Sequence, residues 1–143
     1  MIKILFICHG NICRSPMAEF MMKDLVEKRG LEKEFEISSA ATSNEEIGND
    51  MYPPAKRMLK EKGIDFSRRA ARQLRFGDYD YYDRIICMDE YNLRNILKFF
   101  GGDPANKVSM LLDRPVADPW YTGDFETTYN DLSEGLCRLM EDL

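Results

Sequence analysis

Short strand-like runs alternate along the chain with longer segments in which apolar residues recur at helical spacing. The strand-like runs lie at residues 2–8, 35–39, 84–88 and 107–111. The helical segments lie at residues 15–29, 53–62, 91–100 and 125–143. Glycine, a common residue just after a helix, follows the first three of them. Alternation of this kind predicts a parallel sheet that helices cover on both faces.

The whole chain, residues 1–143, is therefore expected to form one α/β domain with a four-stranded parallel sheet of the flavodoxin-like type. In the last helix, apolar side chains follow one side and predict packing against the core. They are Tyr129, Leu132, Leu136 and Leu139. Ligands of such sheets bind beyond the carboxyl ends of the strands, and the first strand ends at Cys8. We expect the functional site at this edge of the sheet.

Charge and hydropathy argue against two classes of partner. The net charge of −5 at pH 7 does not suit a general nucleic-acid binder, which needs a basic surface. The chain has no uninterrupted apolar run of about 18 residues, the length that predicts a membrane span. The apolar run at residues 2–7 is too short for the core of a secretory signal. We expect a cytoplasmic protein that binds neither nucleic acid nor a membrane.

Cysteine and histidine usage predicts neither a metal site nor a disulfide framework. The four cysteines are Cys8, Cys13, Cys87 and Cys137, and His9 is the only histidine. Cys8 and Cys13 have no second pair of ligands to complete a zinc site. The density of cysteine is low for a disulfide-stabilised fold. We expect a protein that needs no metal and no organic cofactor.

The first predicted strand leads into a segment whose residues suit phosphate binding. The segment reads Cys8-His9-Gly10-Asn11-Ile12-Cys13-Arg14-Ser15. In a loop between strand and helix, backbone N–H groups and the helix dipole direct positive potential at one point. Gly10 permits a close backbone approach or a positive φ, and Asn11 tolerates the left-handed conformation. All eight residues are expected to form a cradle for a doubly charged phosphate, with a nucleophile at its base.

Three side chains of this loop have a direct use in phosphate chemistry. The loop amides, the helix N-terminus and Arg14 are all expected to stabilise a thiolate at Cys8. The planar guanidinium of Arg14 can bind two phosphoryl oxygens at once. Ser15 is expected to donate a hydrogen bond to the Cys8 sulfur and to cap the helix, which places Pro16 at the first helical position. The alternative is a buried strand end with a free cysteine, and it explains fewer of these residues.

A second candidate group lies far along the chain, at Asp118-Pro119-Trp120-Tyr121. An aspartic acid that faces the cradle can protonate the leaving oxygen of a phosphate ester and then act as the base for water. The two aromatic residues are expected to wall a slot for a flat aryl group. Taken alone, Asp-Pro is a common turn opener and Trp120 suits a core position. In combination with Cys8, the general-acid interpretation is favoured.

These segments resemble the low-molecular-weight protein tyrosine phosphatase family. The most specific matches are CHGNICRSPMAEF from Cys8 and DPWYTGDFETTY from Asp118. The other matches are ISSAATS from Ile37, ARQL from Ala71, YDRIICMDEYNL from Tyr82 and KVSMLL from Lys107. They follow the family's order and cover nearly the whole chain, so the resemblance extends to the fold and the chemistry.

The resemblance implies roles for individual residues. It implies that Cys8 is the nucleophile, Arg14 is the phosphate clamp, and Asp118 is the general acid and base. It assigns support of the loop and of its arginine to Asn11, Ser15, Ser39 and Asp89. Cys13 matches a second loop cysteine of the family, which can trap an oxidised nucleophile as a disulfide.

Two segments depart from the family's pattern. Glu45 and Glu46 stand in the variable substrate loop, where some members have a large aromatic residue. Carboxylates beside Trp120 and Tyr121 at the substrate pocket would repel acidic phosphopeptides, although such a polar loop also suits plain solvated surface. Arg69 stands where some members carry a histidine that braces the phosphate loop. The basic run around it, residues 68–72, is expected to be a solvated face.

The chain is thus interpreted as a phosphatase for phosphotyrosine proteins or small aryl phosphates, which acts through a cysteinyl-phosphate and releases inorganic phosphate. Two alternatives stay open. One is a thiol-dependent arsenate reductase of the same fold, in which Cys87 would begin a relay that lacks a nearby second cysteine. The other is a module that binds phosphotyrosine without turnover. A monomer is expected, with weak self-association through the aromatic mouth.

Overall fold

A sheet of four parallel strands forms the centre of the molecule, and the computed structural model describes residues 1–143. The strands in chain order are β1 (Ile2–Cys8), β2 (Phe35–Ala41), β3 (Arg84–Cys87) and β4 (Val108–Met110). They lie side by side in the order β2-β1-β3-β4, and each neighbouring pair is parallel. The prediction of a single α/β domain with a four-stranded parallel sheet is confirmed.

Helices connect the strands and complete the chain. They are α1 (Arg14–Lys28), α2 (Pro53–Glu61), α3 (Asp78–Tyr81), α4 (Glu90–Phe100), α5 (Pro119–Thr122) and α6 (Phe125–Asp142). The four predicted from apolar spacing are α1, α2, α4 and α6, and their ends lie within one residue of the predicted ones. The short helices α3 and α5 have no signal in the sequence pattern, because four residues contain too little periodicity.

Apolar side chains fill both faces of the sheet. Ile4 and Phe6 of β1 belong to a buried cluster with residues of α1, α2 and α6. Leu5 and Ile7 belong to a second cluster, which includes residues of β3 and α4. Because neighbouring side chains of a strand point to opposite faces, the continuous apolar sequence of β1 marks a strand that is covered on both sides.

The predicted apolar side of α6 packs into the first of these clusters. Leu132, Leu136 and Leu139 are buried members of this cluster, and the partly buried Tyr129 packs against it. Gly135 lies between them, and a Cβ at this position would overlap the Leu111 side chain, so glycine lets the helix approach closely. Neither α6 nor any other helix is both long enough and apolar enough to cross a membrane.

The start of α1 differs from the prediction. Arg14 is the first helical residue and Cys13 is the N-cap, without a side-chain capping bond. Ser15 is therefore not the cap, because its hydroxyl is directed to the Cys8 sulfur instead. Pro16 is the third helical residue rather than the first. It is tolerated there because N–H groups of the first turn have no partner within a helix.

The strand order determines where a ligand can bind. From the central strand β1 the chain crosses to β2 on one side, and it later returns to β3 on the other side. This reversal leaves a crevice beyond the carboxyl end of β1, where Cys8 lies. The segments that follow β3 and β4 leave the sheet at the same edge, since all four strands are parallel.

Candidate active site

A cavity of about 670 Å³ opens beyond the carboxyl end of β1. Four separate parts of the chain line it. They are the loop after β1 with the start of α1 (residues 8–10 and 12–14), Glu45 with Glu46, the start of α4 with Asp89, and Asp118 with Trp120 and Tyr121. The fold therefore brings the predicted phosphate loop, the predicted acid and the predicted substrate pocket to one place.

The Cys8 sulfur lies at the base of the loop and is nearly buried, with 4% of the residue exposed. The backbone N–H groups of Asn11 and Ser15 donate to it at 3.3 and 3.4 Å. The Ser15 hydroxyl lies 3.0 Å from it, close enough to donate a third hydrogen bond. Donors directed at a sulfur stabilise its thiolate form, so this arrangement suits a nucleophile.

Asn11 gives the loop its shape. It takes the left-handed conformation, with φ of 61°, as its residue type predicts. Gly10 does not take a positive φ; instead a Cβ there would lie 3.4 Å from the Glu46 side chain, so it allows close approach. The Asn11 amide donates to the hydroxyls of Ser15 and Ser39 at 2.7 and 2.9 Å. Ser39 therefore does lie behind the loop, as expected.

The oxygen of the Asn11 side chain accepts from two arginines. The Arg69 guanidinium donates to it at 2.5 Å and the Arg72 backbone N–H at 3.3 Å. Arg72 also pairs with the buried Asp78, through two hydrogen bonds. The expectation that this basic run is a solvated face is wrong for both residues and holds for the exposed Arg68. The local sequence does not distinguish Arg68, Arg69 and Arg72, because their different burial depends on the distant residues that each side chain contacts.

Arg14 is almost fully buried, and three oxygens receive its N–H groups. They belong to Asp89 at 2.8 Å, the Val116 carbonyl at 3.2 Å and Asp118 at 3.3 Å. Burial alone would lower the pKa of Arg14, but the charges of Cys8, Asp118 and Asp89 raise it overall. Asp89 is itself fixed as the N-cap of α4, since it accepts the Asn92 N–H at 2.8 Å.

Asp118 serves two structural purposes at once. It is the N-cap of α5, where one carboxylate oxygen accepts the Trp120 N–H at 3.1 Å. Its other oxygen faces Arg14 in the cavity. The turn and the functional interpretations of Asp-Pro are therefore compatible. Trp120 is 54% exposed and packs against the Tyr52 ring at a centroid distance of 5.0 Å, so the interpretation of Trp120 as core is wrong.

Glu45 and Glu46 both line the cavity, which places the variable segment beside the phosphate loop. Glu45 pairs with His9 at 2.9 Å, and both side chains are more than half exposed. Glu46 accepts from the Asn49 amide at 2.6 Å. Glu45 is thus paired with the phosphate loop, whereas the bond of Glu46 to Asn49 stays within its own segment, and this part of the chain remains partly solvated.

The other two buried cysteines, Cys13 and Cys87, have surroundings that favour the neutral thiol, unlike the hydrogen-bond donors around Cys8. Burial, and then the charge of Cys8, raise the pKa of the Cys13 thiol to about 12. Burial, and then the charge of Asp89, raise the pKa of Cys87 to about 12 as well. Both are therefore neutral thiols near pH 7. No group of three or more His, Cys, Asp or Glu side chains is arranged to hold a metal ion.

Comparison with known proteins identifies the family. The family model described as low molecular weight phosphotyrosine protein phosphatase matches residues 3–143. The chain belongs to this family. The low molecular weight phosphotyrosine protein phosphatases are enzymes, and the resemblance seen in the sequence is thus confirmed over nearly the whole chain.

Named relatives of this phosphatase family are similar to most of the chain. The low molecular weight protein-tyrosine-phosphatase YfkJ of Bacillus subtilis is 37% identical over 147 residues, which cover 98% of this chain and 94% of that protein. The human low molecular weight phosphotyrosine protein phosphatase is 36% identical and covers 88% of this chain and 85% of its own length.

Solved structures agree as well. The crystal structure of YfkJ matches with a TM-score of 0.96 and covers 99% of this chain and 94% of that one. The crystal structure of SP-PTP, a low molecular weight protein tyrosine phosphatase from Streptococcus pyogenes, matches with a TM-score of 0.94 at 36% identity. It covers 100% of this chain and 93% of that one.

Proposed function

We propose that this phosphatase hydrolyses phosphotyrosine in proteins, and small aryl phosphates, through a cysteinyl-phosphate on Cys8. The observation that carries the proposal is the convergence of three groups on one cavity. The Cys8 sulfur has three hydrogen-bond donors, Arg14 is buried beside it, and Asp118 touches the same guanidinium. A nucleophile, an anion clamp and an acid in one crevice suit attack on a phosphate monoester.

In the first step, the Cys8 thiolate forms a bond to phosphorus while the bond from phosphorus to the phenolic oxygen breaks. Asp118 gives its proton to that oxygen, so the alcohol leaves neutral. Arg14 and the loop N–H groups hold the equatorial oxygens of the phosphoryl group. They keep these oxygens in position and stabilise their negative charge during the transfer. Asp89 fixes one side of the guanidinium through its 2.8 Å bond and thereby orients the remaining N–H groups.

In the second step, Asp118 is a carboxylate and takes a proton from a water molecule. The water oxygen binds phosphorus, the bond from sulfur to phosphorus breaks, and inorganic phosphate is released. The sulfur leaves as a thiolate, and the Ser15 hydroxyl at 3.0 Å is placed to donate to it. The same three donors thus serve both steps, and the proposed mechanism uses no metal or organic cofactor.

We assign the aryl ring of the substrate to the side of the cavity formed by Trp120 and Tyr121. Tyr121 is 85% exposed and Trp120 is supported by the Tyr52 ring, so both present aromatic surface without being buried themselves. Offset stacking or edge contact with a flat ring suits such surfaces. Glu45 lines the same cavity, and we assign to it the part of a substrate outside the ring.

Glu45 and Glu46 are expected to make the enzyme prefer phosphotyrosine peptides with basic neighbours. For two peptides that differ only in lysine or glutamate beside the phosphotyrosine, kcat/KM should be about three- to tenfold higher for the lysine peptide at low salt. The preference should shrink at high salt, since exposed charges are screened. Measurement of both peptides with the wild type and with a variant carrying Glu45→Gln and Glu46→Gln tests this.

The matched control for these carboxylates is Glu27→Gln, because Glu27 is exposed on α1 and does not line the cavity. This control should keep the full preference for the lysine peptide. An equal rate on both peptides in the wild type at low salt would contradict the assignment of Glu45 and Glu46 to specificity.

Cys13 is proposed as the redox partner of Cys8, as the family resemblance implies. Its thiol is buried, protonated near pH 7 and separated from Cys8 by four residues of the same loop. Mild oxidation of Cys8 to a sulfenic acid would allow a disulfide to form with release of water. Peptide mapping by mass spectrometry after peroxide treatment should find a reducible link between Cys8 and Cys13, and its absence would count against this role.

The proposed function is tested by phosphate release from phosphotyrosine and from p-nitrophenyl phosphate at mildly acidic pH. Freshly reduced protein should hydrolyse both in the presence of a chelator. Tight binding without phosphate release would instead favour the binding module. Arsenate reduction coupled to thioredoxin would favour the reductase, although the burial of Cys87, with its raised pKa, does not suit a thiol relay.

We also propose a monomer in the cytoplasm. The mechanism needs a reduced Cys8, and the cytosol keeps thiols reduced. Trp120 and Tyr121 at the mouth of the cavity provide the apolar surface for weak self-association. Light scattering across a range of protein concentrations would test the monomer.

A further inference from the structure

One face of α4 leads away from the catalytic cavity. Tyr91 and Asn95 are exposed, lie one helical turn apart and both line the cavity. Phe99 continues this face by a further turn, whereas the buried Asn92 and Ile96 lie on the opposite face, which packs on the core. At about 1.5 Å per residue, the row from Tyr91 to Phe99 is about 12 Å long. The row therefore extends well beyond the mouth of the cavity.

Phe76 adds a second aromatic ring at the far end of this row. It precedes α3 and stacks on Phe99, with a centroid distance of 4.5 Å and an interplanar angle of 11°. The Phe76 side chain is nevertheless 71% exposed, and Tyr91 at the near end is 72% exposed. Large exposed aromatic side chains that share one surface mark a site of contact with another molecule.

Positive charge accompanies these aromatic side chains. The Arg94 guanidinium lies over the Tyr91 ring, 5.0 Å from its centroid. Arg94 and Lys98 are both exposed, and neither takes part in a salt bridge. Glu90 is the only acidic residue of α4, and helical spacing places it on the side opposite Phe99. This surface, called the α4 strip below, consists of Tyr91, Arg94, Asn95, Lys98, Phe99 and Phe76.

The α4 strip and the acidic segment with Glu45 and Glu46 lie on different sides of the phosphate loop. Glu45 and Glu46 follow β2, and Tyr91 follows β3. The strand β1, which leads into the loop, lies between these two strands in the sheet. A peptide that crosses the loop therefore meets carboxylates on one side and a basic aromatic surface on the other. Opposite charges on the two sides favour one direction of the bound peptide.

We propose that the α4 strip binds an acidic segment of the phosphoprotein substrate that carries an aromatic side chain. This inference rests on the proposed phosphatase reaction, because it assigns the part of the substrate that lies outside the cavity. An extended peptide advances about 3.3 Å per residue, so the strip spans about four residues. The substrate carboxylates pair with Arg94 and Lys98, and the aromatic ring packs on Phe76.

A second copy of the chain suits the α4 strip less well than an acidic peptide. In a two-fold contact, the same patch of both copies is buried, so Arg94 and Lys98 would approach the same residues of the other copy. Like charges at an interface are repulsive, whereas the carboxylates of an acidic segment neutralise both side chains. The charge of the strip therefore favours the substrate as its partner.

The test uses pairs of phosphotyrosine peptides. One peptide of each pair has two glutamates and a phenylalanine about four to six residues from the phosphotyrosine, and the other has serines there. One pair places this segment before the phosphotyrosine, and a second pair places it after. For one of the two placements, kcat/KM of the wild type should be about three- to tenfold higher for the acidic aromatic peptide, through a lower KM.

Phe76→Ala and Lys98→Gln remove the aromatic and the charged contact separately, and neither residue lines the cavity. Each should reduce the advantage of the acidic aromatic peptide about two- to fivefold. The effect of Lys98→Gln should shrink at high salt, since exposed charges are screened, whereas that of Phe76→Ala should persist. The rate on p-nitrophenyl phosphate serves as the reference for each variant, because this substrate is too small to reach the strip.

The matched controls are Tyr81→Ala and Lys60→Gln. Tyr81 is an exposed aromatic residue beside Lys3, at the end of β1 that lies away from the cavity. Lys60 is exposed on α2 and does not line the cavity. Both control variants should keep the full advantage of the acidic aromatic peptide.

Three results would overturn the proposal. The first is equal kcat/KM for the two peptides of both pairs, and the second is an advantage that Phe76→Ala and Lys98→Gln leave intact. The third is a concentration-dependent molecular mass that Phe76→Ala abolishes without an effect on the peptides, since the strip would then bind a second copy of the chain.

A failure of the proposed function would give a different result. If the wild type released no phosphate from any peptide, fluorescence anisotropy of labelled peptides would still measure their binding to the wild type and to both variants. Tighter binding of the acidic aromatic peptide, weakened by Phe76→Ala and Lys98→Gln, would keep the α4 strip as the docking surface of a phosphotyrosine-binding module. Equal binding of the paired peptides would exclude the docking role, whatever the wild type does to phosphotyrosine.

Discussion

Replacement of Cys8 by serine is expected to abolish phosphate release, with a loss of about 10⁴-fold or more in kcat. A serine hydroxyl stays protonated where a thiol can ionise, and in the first step Asp118 carries the proton that the leaving group needs. The donors around the sulfur, Asn11 N–H and Ser15 N–H, also lose the charged acceptor that they now surround. Initial rates on p-nitrophenyl phosphate with wild type and variant measure this loss.

The control for this substitution is Cys137→Ser, because Cys137 is a free cysteine exposed on α6. It should keep full activity, which separates loss of the nucleophile from a general effect of removing a thiol. Cys8→Ser should still bind inorganic phosphate, since Arg14 and the loop N–H groups remain. Activity above about one hundredth of the wild type in Cys8→Ser would show that the reaction does not pass through this sulfur.

Replacement of Asp118 by asparagine is expected to slow the first step by about 10²- to 10³-fold for poor leaving groups. An amide cannot deliver a proton to a departing phenolate. The loss should be smaller for p-nitrophenyl phosphate, whose leaving group is stable as an anion, and larger for phenyl phosphate and phosphotyrosine. A series of aryl phosphates of different leaving-group acidity measures this dependence directly.

The dependence of the rate loss on the leaving group distinguishes two causes of that loss. One is the missing proton of Asp118, and the other is the missing contact between Asp118 and Arg14. Loss of that 3.3 Å contact would affect every substrate alike, because all carry the same phosphoryl group. Asp113→Asn is the matched control, since Asp113 is exposed in the same connection and does not line the cavity. A uniform loss across the series, or full activity on phosphotyrosine, would assign the proton to another group.

Much of the fold could be predicted because its signals are local. The alternation of strands and helices gives an α/β domain, and the ends of the four long helices lie within one residue of the predicted ones. One error in the fold is local as well. Residue type predicts Ser15 as the cap of α1, whereas its hydroxyl is directed to the Cys8 sulfur. The Ser15 hydroxyl can bond either the backbone at the start of the helix or the Cys8 sulfur, and residue type alone does not decide between the two.

The sequence by itself determined the chemistry of the phosphate loop. Cys8, Asn11 and Arg14 lie within seven consecutive residues, so one strand, loop and helix bring them together. Local backbone preferences favour the left-handed Asn11 and the donors at the sulfur, and the residue motifs indicate the family to which the chain belongs. The same holds for Asp118 at the start of a turn.

Only the tertiary structure decided which distant residues serve that loop. Asp118 lies 104 residues from Arg14 along the chain, and Arg69 lies 58 residues from Asn11. The strand order brings their segments to one edge of the sheet, and packing then selects Arg69 over its neighbour Arg68. The physical reason is that a long-range contact depends on the direction in which a side chain points once the whole core is packed, and no short stretch of sequence carries that direction.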